Sequence, residues 1–268
     1  MSRCRLVPHN SRRLIVFCFE PCLCSILLLC FHPILFSAWL PRAARTVTPI
    51  KSTLLWAFRW TRRAYAHVFE AVQQAQRDLV QEEMTKVYMP PQGDAAYLEG
   101  VQTLVLGEER RALLRDRLTA VQTPGGCGAV RLGAEVIFAA APTATVWVSD
   151  PTWPVHIPLM GSVGLQFKSY RYYSAAIRGL DFTAMLEDLE AASPGDIVLL
   201  HGCCHNPSGV DPNAEQWQAL ATFMAERALV PMVDFAYQGM GAGLSEDAAG
   251  LRCLIDHIPE MIIAVSSS

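Results

Sequence analysis

Acid is nearly missing from the start of this 268-residue chain. Residues 1–67 carry one carboxylate, Glu20, against ten Lys and Arg, a net of +9. The remaining residues hold 12 basic and 24 acidic side chains, a net of −12, so the overall charge of −3 conceals two segments of different character. A cysteine framework is also lacking. The nine cysteines are Cys4, Cys18, Cys22, Cys24 and Cys30 in the first segment and Cys127, Cys203, Cys204 and Cys253 in the second. Their odd number and their spacings fit neither a disulfide scaffold nor a zinc module. Free thiols in a reducing cytosol are the simpler reading. Internal repeats, low-complexity tracts and aromatic–basic nucleic-acid modules are not found, which sets aside solenoids and nucleic-acid binders.

What the first segment does have is an apolar run from Leu14 to Leu40, preceded by Arg12 and Arg13 and followed by Arg42 and Arg45. A membrane-spanning helix needs about 20 apolar residues. This run is long enough, but Glu20, Pro21, His32 and Pro33 interrupt it. A Glu within hydrocarbon costs about 2.5–3.5 kcal/mol. A clean small-x-small cleavage site for a secretory signal is also missing. Three readings stand: a membrane anchor, a secretory signal, or a segment foreign to the fold, such as a misplaced start or a translated non-coding junction. The third is preferred, and with it a boundary between residues 67 and 68.

From residue 68 onward the pattern is that of a folded domain. Helical periodicity runs over Val68–Glu83 and Tyr97–Leu106. Past Val121, short apolar strands alternate with helices. TPGG opens a helix over Cys127–Ala139, TVWVSD and FKSYRYY read as strands, and Phe182–Ala191 as a helix. DIVLLHG is a buried strand, Ala214–Arg227 a helix, VPMVDFAY a strand, Glu246–Asp256 a helix and MIIAVSSS a strand. Such alternation predicts an α/β layer with a mostly parallel sheet.

Ligands of open α/β sheets sit beyond the carboxyl ends of the strands. Asn206, Asp234 with Tyr237, and Ser266 with Ser268 all fall at such ends. Each has a plainer explanation: a turn at Asn206-Pro207, a strand-end carboxylate capping a turn at Asp234, a buried ring with a satisfied hydroxyl at Tyr237. Gly125 and Gly126 open a helix whose amino end favours an anion, a weak signal by itself. Trp153 taken alone is a core tryptophan. His201, Cys203, Cys204 and His205 lack zinc-site spacing, so no metal is expected.

Taken together, TPGGCGAV, DPTWPVH, HGCCHNPSGVDP and DFAYQG resemble the class I pyridoxal-phosphate aminotransferases of the aspartate and aromatic type. The match runs from about Phe69 to Ser268, with the motifs in family order. It implies an α/β fold, the fold type I large domain of the PLP-dependent transferases. That fold has a mostly parallel sheet in an αβα layer, here incomplete and covering residues 68–268. It implies pyridoxal 5′-phosphate as cofactor. Asp234 would face the pyridine nitrogen and keep it protonated, Asn206 and Tyr237 would bond the phenolic oxygen, and Trp153 would lie against the ring. Gly125, Gly126, Cys127, Ser266 and Ser268 would surround the phosphate, with Cys127 a poorer donor than the hydroxyl residue often found there. His156 would bond Asp234 from behind, and His201 would stand further back. Tyr88, in TKVYMPPQG, resembles the tyrosine that reaches the neighbouring subunit's phosphate, which implies a homodimer. The lysine that binds the cofactor covalently is due just after Ser268, and neither Lys86 nor Lys168 is placed for its role. The expectation is therefore an amino-acid transaminase, acting on an amino acid and a 2-oxo acid in the cytoplasm, whose central catalytic group these 268 residues do not include. The alternatives are a non-catalytic PLP-binding or interaction fragment and a membrane-anchored variant.

Overall fold

The computed structural model describes residues 14–19, as backbone, and residues 68–266. The chain divides into two compact units, one of Met1–Glu20 with Pro90–Ser267 and one of Pro21–Met89 with Ser268. Most of the Leu14–Leu40 run, and Ser268, lie outside the described residues.

In the second unit, helix α1 spans Glu70–Glu82, starting two residues and ending one residue inside the expected Val68–Glu83. None of its side chains is buried within that unit.

The first unit is built on a seven-stranded sheet. Its strands are β1 (Leu14–Phe19), β2 (Leu118–Thr123), β3 (Thr145–Asp150), β4 (Gln166–Arg171), β7 (Ile197–His201), β8 (Val230–Phe235) and β9 (Met261–Val265). A small antiparallel hairpin of β5 (Tyr173–Ser174) and β6 (Gly179–Leu180) stands apart. The sheet order is β2-β1-β9-β8-β7-β3-β4, and every neighbouring pair is parallel. Parallel strands need crossovers, supplied here by α2 (Ala95–Leu106), α3 (Glu108–Leu114), α4 (Gly125–Ala140), α5 (His156–Gly161), α6 (Phe182–Leu189), α7 (Ala214–Glu226) and α8 (Ala249–His257). The six residues that open the Leu14–Leu40 run form a strand rather than the start of a spanning helix. No helix among the described residues is long and apolar enough to cross a membrane.

The period of two along each strand divides the core into two layers. Val198, Leu200, Val233, Met261, Ile263 and Val265 face one side, packed with Leu106, Met185, Leu220 and Leu254 from α2, α6, α7 and α8. Ile197, Leu199, Met232, Ile262 and Ala264 face the other, against Val130, Ala134 and Ile137 of α4 and Met160 of α5. Each large side chain so buried contributes about 1.5–3 kcal/mol of transfer free energy. All residues of β7 and β9 are buried, as strands covered on both faces must be.

Candidate active site

Five strands deliver their carboxyl ends to the same edge of the sheet. β2 leads through Pro124 into Gly125 and Gly126. β3 leads to Thr152, Trp153 and His156. β7 leads to the loop carrying Asn206, β8 ends in Asp234 and Phe235 ahead of Tyr237, and β9 runs into Ser266. His201 and Asp234 pair directly across β7 and β8. Gly202 lets these strands close up, since a Cβ there would lie 2.3 Å from the Phe235 ring.

Asp234 is the centre of the polar cluster. Its Oδ2 lies 3.0 Å from Nε2 of His156, whose side chain is fully buried. His156 Nδ1 lies 2.8 Å from Thr152 Oγ1, and that hydroxyl is 3.3 Å from His201 Nε2. His201 Nδ1 lies 3.2 Å from the Asn206 backbone nitrogen. The proton positions follow in order. An amide N–H can only donate, so His201 Nδ1 accepts and the ring carries its proton on Nε2. Burial holds His201 neutral, its pKa well below the usual value, and the nearby His205 and His156 push the same way. His201 Nε2–H then donates to Thr152, the Thr152 hydroxyl donates to His156 Nδ1, and His156 Nε2–H donates to Asp234. The Asn206 backbone thereby sets, through three side chains, that Asp234 receives a proton donor from behind.

Asn206 Nδ2 donates to the Tyr237 hydroxyl at 3.4 Å. Burial raises the Tyr237 pKa, opposed by the bond from Asn206, and the charge of Asp234 raises it further. The phenol stays protonated at neutral pH, with its own hydrogen free to point away from Asn206. The Asn206 loop is pinned by Asp211, whose carboxylate accepts from the backbone of Cys204 at 2.6 Å and His205 at 2.8 Å. His205 bridges Ser149 (2.9 Å) and Ser208 (2.8 Å) and stacks on Tyr172 at 4.0 Å. Burial lowers its pKa to about 4.

A second group lies beside the first. Gly125 opens α4 with φ +88°, a conformation natural to glycine. A Cβ on Gly126 would stand 2.9 Å from Ser266 Oγ, so the hydroxyl occupies the space glycine leaves. The Ser266 N–H donates to the carbonyl of Phe235 (3.2 Å), the residue after Asp234, which ties the two groups together. An anion meeting the amino end of the 16-residue α4 would face backbone N–H groups and the Ser266 hydroxyl.

Of the residues singled out from sequence, Gly125, Gly126, Trp153, His156, His201, Asn206, Asp234, Tyr237 and Ser266 all lie at this edge. The Trp153 ring is half-buried and meets His156 edge-on at 5.2 Å. Cys127 is exposed in the first turn of α4. Tyr88 belongs to the second unit, where it is 86% exposed. Thr152 and Asp211 were not singled out. Thr152 stands four residues before His156 in DPTWPVH, and Asp211 ends HNPSGVD, so both lay inside motifs already quoted.

Two other clusters serve the scaffold. Cys203, Cys204 and Asp247 bring possible ligand atoms within 4.8 Å of one another. Asp247 is committed to the backbone N–H groups of Gly239, Gly241, Ala242 and Gly243, and burial raises both thiol pKa values. A surface cavity of about 310 Å³ lies between α3, α7 and α8. Its arginines are occupied, Arg110 by Asp256 and Arg252 by the carbonyls of Leu104 and Val105.

Comparison with known proteins decides the family. The model of the family described as aminotransferase class I and II matches residues 61–268. The chain belongs to the class I and II aminotransferases. Aspartate aminotransferase of Haemophilus influenzae is 44% identical over 201 residues, which cover 75% of this chain and 51% of that protein. Aromatic-amino-acid aminotransferase of Paracoccus denitrificans is 42% identical, covering 75% and 50%. The solved aromatic-amino-acid aminotransferase of Burkholderia pseudomallei, covalently bound to pyridoxal phosphate, superposes with a TM-score of 0.71 at 38% identity, covering 75% of this chain and 50% of that one. This aminotransferase chain thus spans about half the length of the curated relatives it matches.

Proposed function

We propose that this chain supplies the pyridoxal-phosphate-binding large domain of an amino-acid transaminase of the aspartate and aromatic type. Such an enzyme moves an amino group between an L-amino acid and a 2-oxo acid. The observation that carries the reading is the relay from the Asn206 backbone to Asp234. It leaves a carboxylate with one oxygen already supplied with a donor and a second that can take the N–H of a protonated pyridine ring.

The donor set fits the cofactor. Asp234 would hold the ring nitrogen, the Asn206 amide and the Tyr237 hydroxyl would meet the phenolic oxygen, and Trp153 would cover the ring. The phosphate would lie against Gly125, Gly126, Cys127, Ser266 and Ser268. When bound, pyridoxal phosphate supplies an electron sink for charge developing at the amino acid's Cα. This chain's part is to bind, orient and polarise. Asp234 keeps a proton on the ring nitrogen, Tyr237 donates to a phenolic oxyanion, and the packed ring of Trp153 excludes water from one side.

Within these 268 residues no described lysine reaches the cluster. Lys86 pairs with Glu83, and Lys168 lies 5.1 Å over the Trp147 ring. This favours a second reading, that the polypeptide tested alone holds the cofactor non-covalently and does not turn over. The exposure of Tyr88 supports a homodimer in which it reaches a partner's phosphate. The thiols of Cys203, Cys204 and Cys253, none in a disulfide, support a cytoplasmic setting.

Titration with pyridoxamine 5′-phosphate tests the site without needing a lysine. A charge-assisted hydrogen bond contributes about 1.5–3 kcal/mol, so Asp234→Ala should weaken binding about 10- to 100-fold. Equal affinity in the two proteins would refute the role of Asp234. Added L-aspartate and 2-oxoglutarate should give no steady turnover with the polypeptide alone.

A further inference from the structure

Two side chains would meet a phenolic oxygen in the proposed site, and neither stands on a strand or helix. Asn206 lies beyond β7 and Tyr237 beyond β8. The 3.4 Å between Asn206 Nδ2 and the Tyr237 hydroxyl is therefore set by whatever fixes their loops. Asp211 holds the Asn206 loop through the N–H groups of Cys204 and His205. The loop that follows Tyr237 reads QGMGAG, with three glycines in six residues, so its own side chains do little to give it a shape.

Asp247 supplies that shape. Its Oδ2 accepts from the N–H groups of Gly239 (2.8 Å) and Gly241 (3.0 Å), and its Oδ1 from those of Ala242 (2.7 Å) and Gly243 (3.4 Å). Burial would raise the carboxyl's pKa, but the four amides outweigh it and hold it below the usual value, so the group is charged. Gly241 makes room, since a Cβ there would lie 2.6 Å from Oδ1. The grip reaches Tyr237 through a turn. The Met240 N–H donates to the Tyr237 carbonyl at 3.0 Å, and Gly239, third residue of that turn, has φ +90°. A positive φ there and not at Gln238 makes the turn type II. Tyr237 is its first residue, and Asp247 binds the third. On its other side Asp247 is anchored to the core: Ala248 is fully buried, and α8 follows with Leu251 and Leu254 inside. One carboxylate oxygen also lies within 4.8 Å of the Cys203 and Cys204 sulfurs, at the root of the Asn206 loop. A single side chain thus stands where the two loops meet.

We infer that Asp247 is a positioning residue of the phenolic-oxygen site: by binding the amides of 239–243 it fixes the Tyr237 turn against the root of the Asn206 loop, and so sets the spacing at which both groups reach one oxygen. The inference rests on the reading of Asn206 and Tyr237 as partners of that oxygen and adds to it the residue that spaces them.

The test compares the full chain with Asp247→Asn and Gly241→Ala. Asparagine keeps the size but offers one carbonyl oxygen in place of two acceptors, so one pair of amides loses its partner. Gly241→Ala keeps the carboxylate and crowds it. The readout is affinity for pyridoxamine 5′-phosphate against its 3-deoxy analogue, which lacks the phenolic oxygen. The full chain should prefer the oxygen-bearing ligand about tenfold. In Asp247→Asn that preference should fall to about twofold or less, while affinity for the 3-deoxy analogue changes less than about twofold. In a Tyr237→Phe background, Asp247→Asn should leave the remaining preference unchanged, because it acts through the Tyr237 hydroxyl, and a further fall there overturns the inference. A carboxylate that only stabilises the fold would weaken both ligands alike and leave the preference whole, which also overturns it. If Asp247→Asn does not fold, Gly241→Ala decides by the same ratio: a fallen preference supports the inference and a kept one overturns it. Unfolding of both variants counts against it too, since the carboxylate would then hold up the whole domain. A full chain with no preference between the two ligands sinks the phenolic-oxygen reading, and the inference with it.

Discussion

In the proposed site, Asp234 would act on a ring nitrogen because of what stands behind it. His156 donates to it only while Nδ1 of that ring is occupied by the Thr152 hydroxyl, and Thr152 donates only while His201 Nε2–H fills its acceptor side. Thr152→Val keeps the shape and removes both bonds. It should cost about 1–3 kcal/mol of stability through unpaired buried ring nitrogens and weaken pyridoxamine 5′-phosphate binding. Nitrogen-15 NMR of the imidazoles should show His156 losing its fixed tautomer, and an unchanged tautomer would contradict the relay. That Asp234, Asn206 and Tyr237 share one strand-end edge was legible in the sequence through HNPSG and DFAYQG taken together, since each residue alone had a plainer reading. Thr152 was not. A hydroxyl acquires its role from the two imidazoles that flank it, and those come from different elements. Asp211 was hidden for the same reason, its partners being backbone N–H groups exposed by a loop conformation that no residue type announces.

At the scale of elements, β3, β7, β8 and β9 could be read as short apolar runs between helices, and their parallel order follows from that alternation. β1 could not, because LIVFCF runs on into a longer apolar stretch whose length suggests membrane rather than sheet. β2, LTAVQT, is short and mixed in polarity, as suits the edge of the sheet. Boundaries moved where side chains fold back. Helix α8 starts at Ala249 instead of Glu246 because Asp247 turns to bind four amides of the 239–243 loop. The strand expected over 167–173 ends at Arg171, where Tyr172 leaves the sheet and its carbonyl receives the N–H of Asp181. Helix α7 begins where the Asn206 loop returns to the scaffold, through a capping box of Asn213 and Gln216. Asn213→Ala should lower stability by about 1 kcal/mol, read as a shift in urea midpoint with unchanged slope. No shift would place the loop's anchorage elsewhere.

Across the whole molecule, the histidines that order the site also set its response to acid. His201 and His205 are neutral in the folded protein, with His205 lowered to about 4 from an ordinary value of 6.5. Between those values the unfolded chain binds more protons than the folded one, so stability rises with pH. Acidification from pH 6.5 towards 4 should therefore remove up to about 1.4 kcal/mol per pH unit for each histidine. Urea unfolding at pH 7, 6 and 5 checks this. A flat midpoint across that range would mean that the rings are not held neutral.

The most direct measurement is an experimental structure of the chain with pyridoxamine 5′-phosphate. The account expects the ring nitrogen at Asp234, the phenolic oxygen between Asn206 and Tyr237, and the phosphate at Gly125, Gly126 and Ser266. A ligand bound away from the carboxyl ends of β8 and β9, or bound there with its phosphate turned from α4, would contradict it.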